Sequence, residues 1–207
     1  MQKYASLLLV VLIAIVFGAQ LLMSPKISAG ASVVTDSFGS ASLTKVRAQQ
    51  TKRVRQEVET SGFHWGAEVF LRIFKESKEL EVWLRKGAEF QLFKTFPICY
   101  YSGKLGPKTK QGDEQAPEGF YFVNKGRLNP NSSYHLSFNL GYPNAYDRAY
   151  GRTGNYLMVH GNCVSVGCYA MTNAGIEEIY LIVEKSLAAG QKLFRVHAFP
   201  FRMSEKI

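Results

Sequence analysis

One stretch decides the predicted fold: YLMVHGNCVSVGCYAM, residues 156–171. Residues 156–159 combine aromatic, aliphatic and β-branched side chains, as a buried strand does, and Gly154 and Gly161 mark its ends. His160 is therefore predicted at a strand end. The eight residues that follow it include two glycines, so the chain can turn back and bring the Cys168 sulfur within reach of the imidazole.

A histidine and a cysteine in this arrangement suit nucleophilic catalysis. A cysteine attacks a carbonyl carbon as the thiolate, and His160 can serve as the base that forms it. The backbone N–H groups of Val166, Gly167 and Cys168 could converge on a developing oxyanion. Because no acidic residue lies between positions 151 and 174, a backbone carbonyl is expected to orient the imidazole. The alternative interpretation is a packed histidine and a buried, chemically inert cysteine.

The same residues carry a resemblance to a known family. His160-Gly161, a gap, and then Ser165-x-Gly167-Cys168 resembles the active-site signature of the L,D-transpeptidase catalytic domain, the YkuD-like enzymes that exchange peptide bonds in bacterial peptidoglycan. The segment APEGFY at 116–121 is similar to a hairpin of that family, and the resemblance covers about residues 68–199. It implies that Cys168 is the nucleophile, His160 the general base and acid, and the Gly161 carbonyl the group that orients the imidazole.

The chain also departs from the family pattern. Val166 stands where the family usually has His, Ala170 where it has Arg or Asn, and the gap between the two halves of the motif is short. The short form, which contains Cys163, resembles a subgroup of murein L,D-transpeptidases, some of which are thought to hydrolyse their substrate. The resemblance therefore leaves the choice between transfer and hydrolysis open.

The amino terminus predicts an exported protein. A short basic head precedes an apolar run to Met23, and small residues at 29–31 suit signal peptidase. Residues 1–31 are thus a signal peptide or, if uncleaved, an anchor that contacts the membrane. Residues 32–62, rich in basic and small polar groups, are interpreted as a basic linker or a short solvated helix, and 63–203 as one catalytic domain. We expect location in the periplasm or cell envelope.

The net charge of +9 fits an anionic cell envelope, and export argues against a nucleic-acid partner. The glycine- and lysine-rich segment 102–112 is a loop without the order of a phosphate-binding motif. Its lysines could meet a stem-peptide carboxylate, but ordinary surface charge is the interpretation we favour.

Alternating apolar residues from position 69 predict antiparallel strands with turns at 76–78 and 86–87 and a third strand towards Pro97. Further strands are predicted at 119–123, 134–140 and 192–199, with His197 in the last as a packing residue. Apolar spacing from Ile176 to Leu187 predicts a helix that begins after Thr172 or Asn173. The fold class is mainly β, a β-rich α+β fold; the resemblance implies packed mixed sheets with one covering helix.

Candidate substrate contacts lie in the loop 141–154, which should border the catalytic strand. Its aromatic and charged side chains suit a zwitterionic diamino acid, although such loops also simply cover sheet ends. The candidates are Tyr142, Tyr146, Asp147, Arg148 and Arg152, together with Ser165 of the motif.

Three cysteines in an exported chain leave one unpaired. Pairing Cys99 with Cys163 would free Cys168, but all three could equally remain thiols. No Cys, His and carboxylate set has zinc spacing, so neither a metal nor a cofactor is expected.

The combined expectation is a cysteine acyltransferase that acts on peptidoglycan stem peptides at diaminopimelate through a Cys168 thioester. The alternative is a hydrolase that releases a wall-attached protein or peptide. Two other classes are a thiol-redox protein that uses Cys163 and Cys168, and a non-catalytic wall-binding module.

Overall fold

The computed structural model describes residues 43–203, so the predicted signal or anchor segment 1–31 lies outside the described residues. Ten strands and three α-helices make up the described fold. The strands are β1 (Val69–Phe74), β2 (Glu79–Lys86), β3 (Glu89–Pro97), β4 (Tyr100–Tyr101), β5 (Gly119–Asn124), β6 (Leu128–Asn129), β7 (Ser137–Asn139), β8 (Met158–His160), β9 (Tyr169–Ala170) and β10 (Leu193–Phe199). The helices are α1 (Leu43–Thr60), α2 (Ala145–Ala149) and α3 (Asn173–Ala188).

The first sheet has the strand order β3-β2-β1-β10-β5, in which β1 and β10 are parallel and the other neighbours antiparallel. The predicted strands and both turns of the β1-β2-β3 meander are confirmed. Val69, Leu71 and Ile73 alternate towards the core because successive side chains of a strand point to opposite faces. His197 packs between Phe70 and Phe120, with ring centroids 4.6 Å from each.

The second sheet has the order β4-β9-β8-β7-β6, with β8 and β9 parallel. The strand predicted at 134–140 is shorter than expected, since only Ser137–Asn139 pairs with β8. Phe138 of this sheet meets Phe194 of the first sheet edge to face at 5.5 Å, so the two sheets share one core. The β-rich α+β fold with packed mixed sheets is confirmed.

Helix α3 is the predicted covering helix. The Thr172 hydroxyl accepts the Gly175 N–H at 3.1 Å and caps its amino terminus, as the sequence suggested. Ile176, Ile179 and Val183 are fully buried on the face that packs against the sheets. The helix thus packs against both sheets, through β1 and β10 of the first and β7 of the second.

The interpretation of the basic segment needs correction. Within 32–62, residues 43–60 form α1, which packs on α3 and is neither a linker nor a solvated helix. Val46, Val54 and Val58 are buried on one side of it, and Arg47 pairs with Glu184 of α3 at 2.6 Å. The sequence did not reveal this packing because three valines are few for an amphipathic helix. The helix face that they pack on belongs to α3, which lies far away in the sequence.

Within the described residues, none of the helices is both long and apolar enough to cross a membrane.

Candidate active site

Two neighbouring parallel strands bring the histidine and the cysteine together. In the parallel pairing of β8 with β9, Val159 lies opposite Tyr169 and His160 opposite Ala170. The same register places Cys168 beside Met158. The Met158 N–H donates to Cys168 Sγ at 3.3 Å. The two residues that the sequence singled out therefore lie on adjacent segments of the chain, His160 at the end of β8 and Cys168 directly before β9.

The turn between them depends on two glycines. Gly167 has φ +94°, a left-handed conformation that other residues rarely adopt. At Gly161 a Cβ atom would lie 2.7 Å from Asn173 Oδ1 and 2.9 Å from His135 Cβ, so a side chain there would displace the start of α3. These constraints explain why glycines occupy both positions of the motif.

His160 is held as a neutral base. It is buried, and its Nδ1 lies 2.7 Å from the Gly161 carbonyl oxygen. A carbonyl only accepts hydrogen bonds, so Nδ1 carries the proton and Nε2 keeps its lone pair. Burial lowers the pKa of His160, and the hydrogen bond to Gly161 opposes that shift only in part. The Tyr134 ring lies against the imidazole, with centroids 4.8 Å apart.

Cys168 is the free, half-buried thiol of the site. Burial raises the pKa of Cys168, while the Met158 N–H, the Ser165 hydroxyl and the positive charge of Lys108 oppose that rise. Both shifts favour the uncharged forms, so the resting pair is a thiol beside a neutral imidazole.

The three predicted oxyanion donors do not converge on an empty point. The Gly167 N–H donates to the Ser102 hydroxyl, and the Cys168 N–H donates to the Ser165 hydroxyl at 2.8 Å. Each hydroxyl would have to move before its N–H could meet an oxyanion. Val166 is 75% exposed, at the open side of the turn. Sequence reasoning missed Ser102 because it lies 65 residues before Gly167.

The predicted substrate contacts divide into exposed and buried side chains. Tyr146 and Arg148 of α2 are exposed. Asp147 is buried and completes a capping box with Asn144, and it also accepts a hydrogen bond from Arg152 at 2.8 Å. Asp147 as a substrate contact is therefore wrong, because its carboxylate is already satisfied inside the protein.

Arg152 and Ser165 also have internal partners. The Arg152 guanidinium is mostly buried and lies 5.3 Å from the Tyr146 ring centroid. The Ser165 hydroxyl donates to the Cys168 carbonyl at 2.9 Å as well as accepting its N–H. Ser165 thus stabilises residues 161–168, here called the cysteine turn.

A disulfide joins Cys99 to Cys163 and leaves Cys168 free. The sequence left the pairing of Cys99 with Cys163 open, and the structure contains it. The disulfide links the turn after His160 to the residue that precedes β4. The Cys99 N–H donates to the Ala170 carbonyl at 2.9 Å beside it. An exchanging pair of Cys163 and Cys168 is not what the structure shows, because Cys163 already has another partner.

The segment 102–118, here called the lysine loop, differs most from expectation. Lys108 was predicted as surface charge, yet only 3% of it is exposed, and it forms an ion pair with Asp113. The loop contacts the cysteine turn through Ser102.

Among the described residues, His, Cys, Asp and Glu side chains form no group able to hold a metal ion.

Comparison with known proteins agrees with this geometry. Residues 70–190 match the L,D-transpeptidase catalytic domain, YkuD. The chain is 51% identical over 140 residues to proteins named "Putative L,D-transpeptidase YafK" from Escherichia coli strains K12 and O157:H7, a match over 68% of the chain and 57% of each relative. The chain thus spans a little over half the length of these curated relatives.

Among solved structures, the helical cell shape determining protein Pgp2 from Campylobacter jejuni superposes with a TM-score of 0.52 at 21% identity. The superposition covers 72% of this chain and 56% of that protein, and it shows a shared fold. The family match extends over more than half of the sequence and includes both His160 and Cys168. The chain therefore belongs to the L,D-transpeptidase catalytic domain family.

Proposed function

We propose that this protein is a cysteine acyltransferase of the L,D-transpeptidase type that modifies peptidoglycan stem peptides at diaminopimelate. One observation carries the proposal. The free thiol of Cys168 lies beside β8, the strand that ends in His160, and the His160 Nδ1 proton is held by the Gly161 carbonyl so that Nε2 can act as a base. A non-catalytic wall-binding module would have no need of this fixed tautomer.

The reaction needs two acyl transfers. As the Cys168 sulfur attacks the amide carbonyl carbon, its proton passes to His160 Nε2. The C–N bond then breaks, His160 returns the proton to the leaving amine, and a thioester remains. An incoming amine or water gives a proton to His160 and displaces the sulfur, which recovers that proton as the thiol.

The resting protonation states suit this sequence. The lowered pKa of His160 keeps its base form available below the ordinary histidine range, and the raised pKa of Cys168 keeps the sulfur protonated until attack. Activity should therefore depend on a neutral pair. It should fall at low pH as His160 becomes protonated.

Substrate contacts are proposed for Tyr146 and Arg148, which are exposed on α2. Arg148 could meet a carboxylate of the diamino acid, and Tyr146 offers an aromatic surface beside Arg152. Because peptidoglycan is outside the cytoplasm, the proposal includes export to the periplasm or cell envelope.

Transfer to an amine is the primary proposal, and hydrolysis is the second candidate. Two side chains favour hydrolysis: Val166 is an exposed apolar group beside Cys168, and Ala170 is fully buried. Both replace polar groups that the family resemblance leads one to expect, so an amine acceptor has fewer groups to hold it, and water could reach the thioester first. The hydrolytic product would be a protein or peptide released from the wall.

The test separates the two outcomes. Purified protein is incubated with peptidoglycan that carries a covalently linked protein and, separately, with tetrapeptide stems plus a free amine donor. Crosslinked or amine-exchanged products detected by mass spectrometry support transfer. Release of the bound protein without such products supports hydrolysis. Cys168→Ala should abolish both reactions and stay folded, and turnover by that variant would overturn the assignment of the nucleophile.

A further inference from the structure

Two buried lysines shape the lysine loop. Lys75, at the end of β1, is fully buried and forms an ion pair with Glu118 at 3.0 Å. Its ammonium also donates to three carbonyl oxygens of the loop, at 2.7, 2.9 and 3.1 Å, those of Lys104, Gly106 and Ala116. The loop is therefore wrapped around a cation supplied by the neighbouring strand.

Lys108 and Asp113 form the second centre within the same loop. Lys108 Nζ pairs with the Asp113 carboxylate and donates to the Lys110 carbonyl at 2.9 Å. The carboxylate also accepts three backbone N–H groups at 2.8, 3.0 and 3.1 Å, from Thr109, Lys110 and Gln115. The polar atoms of this pair are thus satisfied inside the protein, where they set the path of the backbone.

The lysine loop contacts both chain segments that flank Cys168. On one side, Ser102 accepts the Gly167 N–H and donates to the Glu114 carbonyl at 2.6 Å. On the other side, the Thr153 N–H donates to the Thr109 carbonyl at 3.1 Å. The segment that starts at Thr153 leads to the Tyr156 carbonyl, which lies 3.6 Å from Cys168 Sγ.

Lys108 itself also packs on this second segment. A Cβ atom at Gly154 would lie 2.8 Å from Lys108 Cε, and the Tyr142 hydroxyl donates to the Lys108 carbonyl at 3.1 Å. The lysine side chain is therefore confined between the loop and the residues that precede β8. Its charge cannot swing out into solvent without opening these contacts.

We propose that the Lys108–Asp113 pair is a positioning element for the nucleophile: it holds the lysine loop against the segments that flank Cys168 and sets the Lys108 ammonium against the segment that runs to the Tyr156 carbonyl beside the sulfur. This role rests on the proposed function, since only a reacting Cys168 benefits from it. Nothing in the family motif of His160 and Cys168 includes either residue of the pair.

The charges around Cys168 support the proposal. The titratable groups around it include His160 on β8 with Tyr134 against its ring, Tyr156 before that strand, Tyr169 on β9, and the Lys75–Glu118 and Lys108–Asp113 pairs at the lysine loop. The charge of Lys108 opposes the burial that raises the pKa of Cys168. Although burial opposes its ionisation, Asp113 has a pKa held well below its ordinary value by Lys108 and the three N–H groups. Asp113 is therefore ionised and partly offsets the charge of Lys108.

The test uses the two halves of one ion pair. The rate of Cys168 alkylation by iodoacetamide is measured against pH by peptide mass spectrometry in the full chain with its disulfide intact. Lys108→Gln should move the midpoint of the profile upward, because a positive neighbour is lost. Asp113→Asn should move it downward, because Lys108 is then uncompensated. The double variant should return towards the wild-type profile.

Both substitutions break the same ion pair, so a merely structural role predicts the same change of the midpoint in both variants. Shifts of the midpoint in opposite directions therefore indicate an electrostatic role. Shifts in the same direction, or no shift in either variant, would overturn the proposal. Lys104→Gln, at an exposed lysine of the same loop, is the matched control and should leave the profile unchanged. Circular dichroism checks folding.

If Lys108→Gln does not fold, Asp113→Asn decides the matter alone: a downward shift supports the proposal and any other result overturns it. Alkylation needs no peptidoglycan. Opposite shifts in a protein that does not act on the wall would therefore count against the proposed function and leave standing the electrostatic coupling of the pair to Cys168.

Discussion

Helix α1 and the lysine loop are both rich in cations, but they place them in different surroundings. The side chains of Arg53 and Arg55 in α1 are more than half exposed and pair with acids along or beside the helix. Lys75 and Lys108, which hold the loop, are almost entirely buried. Basic composition by itself therefore does not tell whether a cation is solvated or structural.

The difference follows from the backbone. In a helix the carbonyl oxygens of the interior turns already accept N–H groups of the same helix, so few remain to solvate an ammonium. The lysine loop has no such ladder, and its carbonyls need donors when they are buried. A lysine ammonium supplies three donors, which the three carbonyls and the Glu118 carboxylate around Lys75 share. Irregular buried backbone and a buried cation thus stabilise each other.

The largest effect that would test this contrast is expected for Lys75→Met. It should lower the free energy of unfolding by about 3–5 kcal/mol, because the Glu118 carboxylate and three carbonyls lose their partner. Chemical denaturation measures the change. Lys104→Met, at an exposed lysine of the same loop, is the control and should stay within about 0.5 kcal/mol of wild type. Equal effects of the two variants would mean that burial of Lys75 does not organise the loop.

A smaller effect tests whether α1 is part of the domain. Val54 is fully buried between α1 and the rest of the fold, so Val54→Ala should cost about 2 kcal/mol through lost contacts and a cavity. Thermal and chemical unfolding should both report it as one cooperative transition. Gln49→Ala, on the exposed side of α1, serves as the comparison. A negligible effect of Val54→Ala would restore the interpretation of α1 as a solvated helix.

The smallest effect belongs to the exposed ion pairs of α1. Arg55 and Glu59 are one helical turn apart, 2.9 Å between their charged atoms, and both are well exposed. Glu59→Ala should change the free energy of unfolding by only about 0.3–0.5 kcal/mol, and the contribution should fade in high salt. A loss comparable to that of Lys75→Met would contradict the distinction between solvated and structural cations.

Much of the site could be predicted because its signals are local. The strand that ends at His160 and the return to Cys168 lie within sixteen residues, so a strand and one turn suffice to place them on adjacent segments. The helix after Thr172 was equally visible from its apolar spacing and capping residue. The shortened strand around Ser137 shows the limit of this method, since pairing with β8 and not propensity sets its ends.

The rest depended on contacts between distant residues. Ser102 reaches Gly167 over 65 positions and Cys99 reaches Cys163 over 64, distances at which no local pattern operates. Asp147 looked like a substrate contact because a charged loop residue is usually exposed, yet the capping box and Arg152 satisfy it.

The sequence by itself determined the class of fold, and it singled out Cys168 and His160 as the candidate nucleophile and base. Only the tertiary structure decided the surroundings of these residues, namely the free state of Cys168, the hydroxyls on its neighbouring N–H groups, and the burial of Lys75 and Lys108. The physical reason is that periodicity records which face of a strand or helix is apolar. Whether a polar group is buried depends on partners that folding brings from elsewhere in the chain.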